Sequence, residues 1–220
     1  MNYLDAYKAR VSPNGESMQD AVKATTKRQA INNIMNSPTR SFVRLNDNQD
    51  LTPVIVSDKE TFHKRIFLFI PDTDIKVGDY VHQDDATYLA VDQEKDELYP
   101  QLIGELCNDM FKFKIDATRV EIGKNDFGRP IYRDIGATEL NIPCVMTNKI
   151  PSTVENSSIP LPDGAMIIRI PYIKDQIPKI NYSFTHRGSP YKVTNVSYEN
   201  VINEIGFVEI RLQRTTGVEA

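Results

Sequence analysis

The chain has 220 residues, and its 26 Lys and Arg against 30 Asp and Glu leave a net charge of −4, which supplies no basic field for gripping a polyanion. Its 40% hydrophobic and 25% charged residues are the proportions of a globular protein, and a chain this long buries a core without covalent staples. Cys107 and Cys144 are too few for a disulfide-dense secreted scaffold and form no short metal spacing; buried free thiols are expected of them, with a disulfide as the alternative.

Taken in order, the chain opens without the basic and apolar regions of a secretory leader. Tyr3, Leu4, Tyr7 and Val11 make a short helical stripe, broken at Ser12-Pro-Asn-Gly15. Ser17 reads as an N-cap with Asp20 completing a near capping box. The helix it opens is expected to run to Met35 and to stop before Pro38. Lys23, Lys27 and Arg28 make part of this helix basic, either as a solvated face or as a surface for an acidic partner or DNA.

From Ser41 the pattern changes to short strands. Phe42–Leu45 and Thr52–Val56 flank the Asn46-Asp-Asn-Gln-Asp50 turn, and Thr61–Ile70 follows. Its apolar run Ile66–Ile70 has the length of a strand and is too short to span a bilayer. The central segment Asp74–Asp92 reads as strand, turn, strand. Ile75 and Val77 alternate with polar residues, Gly78-Asp79 interrupts, Gln83-Asp-Asp85 turns, and Tyr88–Val91 returns. Asp84, Asp85 and Asp92 could gather into an acidic cluster there, although consecutive acids in a turn ordinarily serve the turn itself. Further strands are expected at Tyr99–Asn108 and Met110–Ile115, where Phe111, Phe113 and Ile115 alternate with lysines. Gly123–Pro130 is a polar loop and a candidate seam. Beyond it come Ile142–Met146, a Pro/Ser-rich connection from Lys149 to Asp163, and strands at Ala165–Ile170, Asn181–Phe184, Tyr191–Val196 and Gly206–Leu212.

The expected fold is therefore mainly β with an N-terminal helical arm and small β-barrel or sandwich units. The expected boundaries are 1–38 for the arm, 39–122 for the first β-unit and 123–220 for the second. No phosphate-binding Gly loop, no Gly-x-Ser-x-Gly and no metal-ligand spacing is present, and His63, His82 and His186 fall in separate hairpins. No catalytic residue, metal or cofactor is expected.

The order of several short motifs is more specific. Tyr3-Leu4-x-x-Tyr7, Ser37-Pro38, Asp74-Ile-Lys-Val-Gly-Asp-Tyr-Val81, Ala86-Thr-Tyr-Leu-Ala-Val91 and Tyr99–Asn108 followed by Met110-Phe-Lys-Phe113 occur in sequence. They are joined by Gly188–Asn195 and Gly206–Leu212. In this order the chain resembles the head-closure, or stopper, proteins of the tailed-phage neck. It departs from them in having no Trp, with Tyr88 and Phe113 where those proteins often carry one.

The resemblance implies a structural virion protein assembled in the host cytoplasm. It also implies a homo-oligomeric ring with a portal or adaptor above it and tail proteins below, holding packaged DNA without reading its sequence, and no membrane. The alternatives are another tail-completion or terminator component, or a β-barrel module that binds nucleic acid or another ligand. Exposure and composition select the candidate partner or channel contacts. They are Met18, Lys23, Lys27 and Arg28 on the helix, Asp47 and Asp50 in the first turn, Asp84 and Asp85 in the central turn, and Lys124, Asn125 and Arg129 in the 123–130 loop.

Overall fold

A computed structural model describes residues 18–58, 63–115, 118–125, 127–135, 138–151, 158–160 and 164–215. The helical stripe expected at Tyr3–Val11 lies outside these residues. The chain divides into two compact units, Met1–Leu106 and Cys107–Ala220.

The first described element of the first unit is helix α1 (Met18–Met35). Ala30 and Ile34, one turn apart, are its buried positions. Six strands follow: β1 (Arg40–Leu45), β2 (Thr52–Asp58), β3 (Lys64–Phe69), β4 (Tyr80–Gln83), β5 (Ala86–Glu94) and β6 (Gln101–Leu106). They form a closed barrel in the order β1-β2-β3-β6-β5-β4. Every pair is antiparallel, and β4 returns to β1 with Arg44 opposite His82 and Leu45 opposite Val81.

Alternation along each strand sends one face inward. Val43, Val54, Phe67, Phe69, Val81, Tyr88, Ala90 and Leu102 fill the interior together with Ile75. A fully buried side chain of this kind contributes ~1.5–3 kcal/mol. Gly104 is needed for the fit, because a Cβ there would sit 2.8 Å from the Phe67 ring and 2.9 Å from Tyr88 Cβ.

Residues 74–77, expected as a strand, form a loop. Ile75 is buried, so the alternation marks burial correctly. The backbone is held instead by a turn in which Lys76 N–H donates to the Asp79 carboxylate and Gly78 N–H to the Ala90 carbonyl. Gly78 adopts φ 92°, a value that suits glycine.

The second unit contains β7 (Asp109–Ile115), β8 (Thr118–Lys124), β9 (Pro130–Ile135), β10 (Thr138–Thr147), β11 (Lys149–Pro151) and β12 (Ser158–Pro160). It continues with β13 (Ala165–Pro171), β14 (Ser183–His186), β15 (Ser189–Ser197), β16 (Val201–Ile202) and β17 (Ile205–Arg214). The main sheet has the order β14-β15-β17-β13-β10-β7, with β16 pairing onto β17; β8–β9 and β11–β12 are separate two-stranded hairpins. The boundary falls at Leu106–Cys107, ahead of the expected 122/123. The reason is β7, which pairs along its whole length with β10 and so belongs to the second sheet. The 123–130 loop is the tip of the β8–β9 hairpin rather than a seam.

The central strands β13 and β17 are buried on both faces over Ile167–Pro171 and Gly206–Val208. One of those faces carries a charged pair. Arg169 Nε donates to Glu209 Oε1 at 2.8 Å from directly opposite positions, and Arg169 is 7% exposed. Breaking such a pair costs more than forming it gains, because the remaining charge is stranded.

Candidate functional site

The β8–β9 hairpin is one of two hairpins of the second unit that are separate from its main sheet. Its strands pair only with each other among the described residues. The tip is set by Asn125, whose side-chain Oδ1 accepts from the N–H groups of Phe127 (3.1 Å) and Arg129 (2.9 Å). The Asn125 N–H donates to the Arg129 carbonyl and its carbonyl accepts from Gly128 N–H, each at 2.8 Å. Gly128 takes φ 74°, which closes the turn. Asn125 is thus consumed in holding the loop, while Lys124 and Arg129 stand exposed on either side of Phe127, which is 88% exposed. Ile122, Ile131 and Tyr132 along the strands are exposed as well.

In the barrel unit the β1–β2 turn is exposed from Asn46 to Leu51. Asn46 anchors it, with Oδ1 accepting from Tyr80 N–H at 2.8 Å and Nδ2 donating to Asp79 at 2.9 Å. Asp47, Asp50 and Leu51 are left facing solvent. Asp84 and Asp85 form the two-residue β4–β5 turn and are exposed. The acidic cluster expected with Asp92 does not form. Asp92 stands near the opposite end of β5, about 20 Å along the strand, and accepts from Gln93 N–H.

Helix α1 is a docked helix rather than a free basic surface. Lys27 pairs with Asp72 at 2.6 Å, Lys23 approaches Glu97 at 3.9 Å, and Asn33 donates to Tyr99. Arg28 is exposed on the same helix, and the side chain of Met18 lies outside the described residues.

A second cluster lies where the outermost strands β7 and β14 of the second sheet meet. Arg187 Nη2 donates to Asp109 Oδ2 at 2.6 Å. His186 Nε2 lies 3.3 Å from the same oxygen without a hydrogen bond, so Arg187 is the partner that holds the carboxylate. Phe111 and Phe184 contact edge-to-face at 5.1 Å, and Lys114 N–H donates to Tyr182 Oη at 2.8 Å. Beside this seam, burial pushes the Cys144 thiol up to about 12, helped by the charge of Asp109. Cys144 is buried, Cys107 is half-buried, and neither is in a disulfide. Sequence spacing gave no sign of this cluster, because its members are 78 positions apart.

Among the described residues no group of three His, Cys, Asp or Glu side chains is arranged to hold a metal, and no helix is long and apolar enough to cross a membrane. The exposed features described are the Phe127 tip with Lys124 and Arg129, and the acidic turns of the barrel unit.

Comparison with known proteins gives the chain its context. Residues 109–213, almost the whole of the second sheet with its hairpins, match the family model described as the YomX C-terminal domain. A Bacillus subtilis (strain 168) protein described as the SPbeta prophage-derived uncharacterized protein YomX is 25% identical over 147 residues, 66% of this chain and 68% of that protein. The chain is homologous to a prophage-derived protein. No solved structure matches it. The span matched by the family model includes the Phe127 hairpin.

Proposed function

We propose that the protein is a structural component of the phage neck, forming a ring of copies that joins the DNA-filled head to the tail and helps retain the packaged DNA. The observation that carries this reading is the β8–β9 hairpin. An isolated two-stranded ribbon is marginal in water, yet this one displays Ile122, Phe127, Ile131 and Tyr132. Large apolar side chains left exposed along a two-stranded ribbon are what an assembly interface can cover. Homology to a prophage-derived protein and the order of motifs shared with stopper proteins supply the setting. Portal or adaptor above and tail proteins below are its partners, and the reading assigns the chain no catalytic residue and no cofactor. Acidic turns such as Asp84-Asp85 suit a duct through which phosphate must slide without sticking.

A nonsense mutation of the gene in its phage, with electron microscopy of the lysate, tests the placement. Emptied heads beside separate complete tails are expected. Normal infectious particles would refute it.

A further inference from the structure

Two exposed features of this chain are chemical complements. The hairpin tip presents the Phe127 ring with Lys124 and Arg129 exposed on either side in sequence, and with Asp126 counted the segment 123–130 keeps a net charge of +1. The β1–β2 turn presents an aliphatic side chain beside two carboxylates, Leu51 with Asp47 and Asp50, and Leu51 is 63% exposed. Both loops are rigidly built: Asn125 fixes the first through two side-chain hydrogen bonds, and Asn46 fixes the second through another two. Little ordering is therefore required on contact.

The charge balance follows the same division. Residues 1–106 hold 12 Lys and Arg against 17 Asp and Glu, a net of −5, whereas residues 107–220 hold 14 against 13, a net of +1. Copies approaching barrel to hairpin are thus attracted, whereas two barrels repel.

We propose that the hairpin tip of one copy docks on the Asn46–Leu51 turn of the next, Phe127 packing on Leu51 while Lys124 and Arg129 face Asp47 and Asp50. The occupant of each surface is a second copy of this chain. The two surfaces are different, so the contact is head-to-tail, leaving a free tip and a free turn at the ends of any open chain of copies until it closes. The buried aromatic supplies most of the affinity, and the charges select the partner surface. This deepens the ring reading and rests on it only in requiring that copies associate.

The test uses the full chain and two one-sided variants. Phe127→Asp removes the tip and keeps the turn; Asp47→Lys with Asp50→Lys removes the turn and keeps the tip. In sedimentation or mass photometry the wild type forms oligomers, and each variant alone weakens assembly at least tenfold. An equimolar mixture of the variants gives a species of twice the 25.0-kDa chain mass and nothing larger, because each variant retains one complementary half. Circular dichroism verifies folding. In a second arm, Lys124→Glu with Arg129→Glu abolishes assembly, and adding Asp47→Lys with Asp50→Lys to the same chain restores it. A wild type that stays monomeric, variants that assemble like wild type, a mixture that stays monomeric, or charge reversals without rescue would each overturn the inference. Normal virions from the nonsense mutant would remove the neck placement while leaving a positive mixing result intact.

Discussion

The two units close their sheets by different means. In the barrel, β4 meets β1 through the backbone ladder, reinforced where Asn46 N–H donates to the Tyr80 carbonyl at 2.8 Å. In the second unit the outer strands β7 and β14 meet through side chains: Asp109 with Arg187, Phe111 with Phe184, and Lys114 N–H with the Tyr182 hydroxyl. Ladder closure tolerates changes of side chain, because every residue brings the same amide. Side-chain closure concentrates the work on a few positions and leaves strand edges that can part. The hairpin assigned to assembly and the less firmly closed sheet occur in the same half of the molecule.

The largest effect is expected from Phe111→Ala, which removes a fully buried ring of the seam and should cost ~3–5 kcal/mol. Chemical denaturation read by hydrogen exchange should place that loss in residues 107–215, leaving the barrel strands protected. An equal loss in both units would deny their independence. On the barrel side, Gly104→Ala pushes a Cβ against Phe67 and Tyr88 and should destabilise by ~1–3 kcal/mol as overpacking. A protein melting like wild type would show that the interior has slack.

Smaller effects separate the two kinds of closure further. Tyr182→Phe removes one neutral acceptor at a half-buried position, and ~0.5–1 kcal/mol is expected from thermal denaturation. Arg187→Ala should cost ~1 kcal/mol, because the guanidinium is exposed and salt-screened but its loss leaves the Asp109 carboxylate, 17% exposed, without its hydrogen-bond donor. The thiol of Cys144 gives a pH signature. Its pKa is raised in the fold from the ordinary 9.0 to about 12, so below pH 9 both states hold the proton and the stability is intact. Between those values the unfolded chain ionises first, so stability must fall as pH rises from 9 toward 12. Cys144→Ala, compared with wild type by denaturant titration across that range, should flatten the fall.

The sequence made local features legible and non-local ones not. Helix α1 from Met18 to Met35, the Asn46–Asp50 turn, the Asp84-Asp85 turn and the alternation of Phe111 and Phe113 declare themselves through the stop before Pro38, turn chemistry and period-two burial, while the N-cap expected at Ser17 lies outside the described residues. The unit boundary did not, because β7 looks alike whichever sheet it joins; only its register with β10 assigns it. Ile75 shows the same limit, its alternation reporting a buried side chain but not a ladder. Of the contact candidates, Lys124, Arg129, Asp47 and Asp50 stand exposed, whereas the exposed Asn125 is tied to its own loop's backbone and Lys27 is paired with Asp72. Phe127, a single ring in a polar loop, carries no periodic signal.

The neck placement is most directly tested by labelling purified virions with gold-conjugated antibody against this chain and viewing them by electron microscopy. The account predicts gold at the head–tail joint of intact particles, with the protein present in multiple copies per virion. Particles that lack the protein, or carry it on the capsid shell or tail tip, would contradict it.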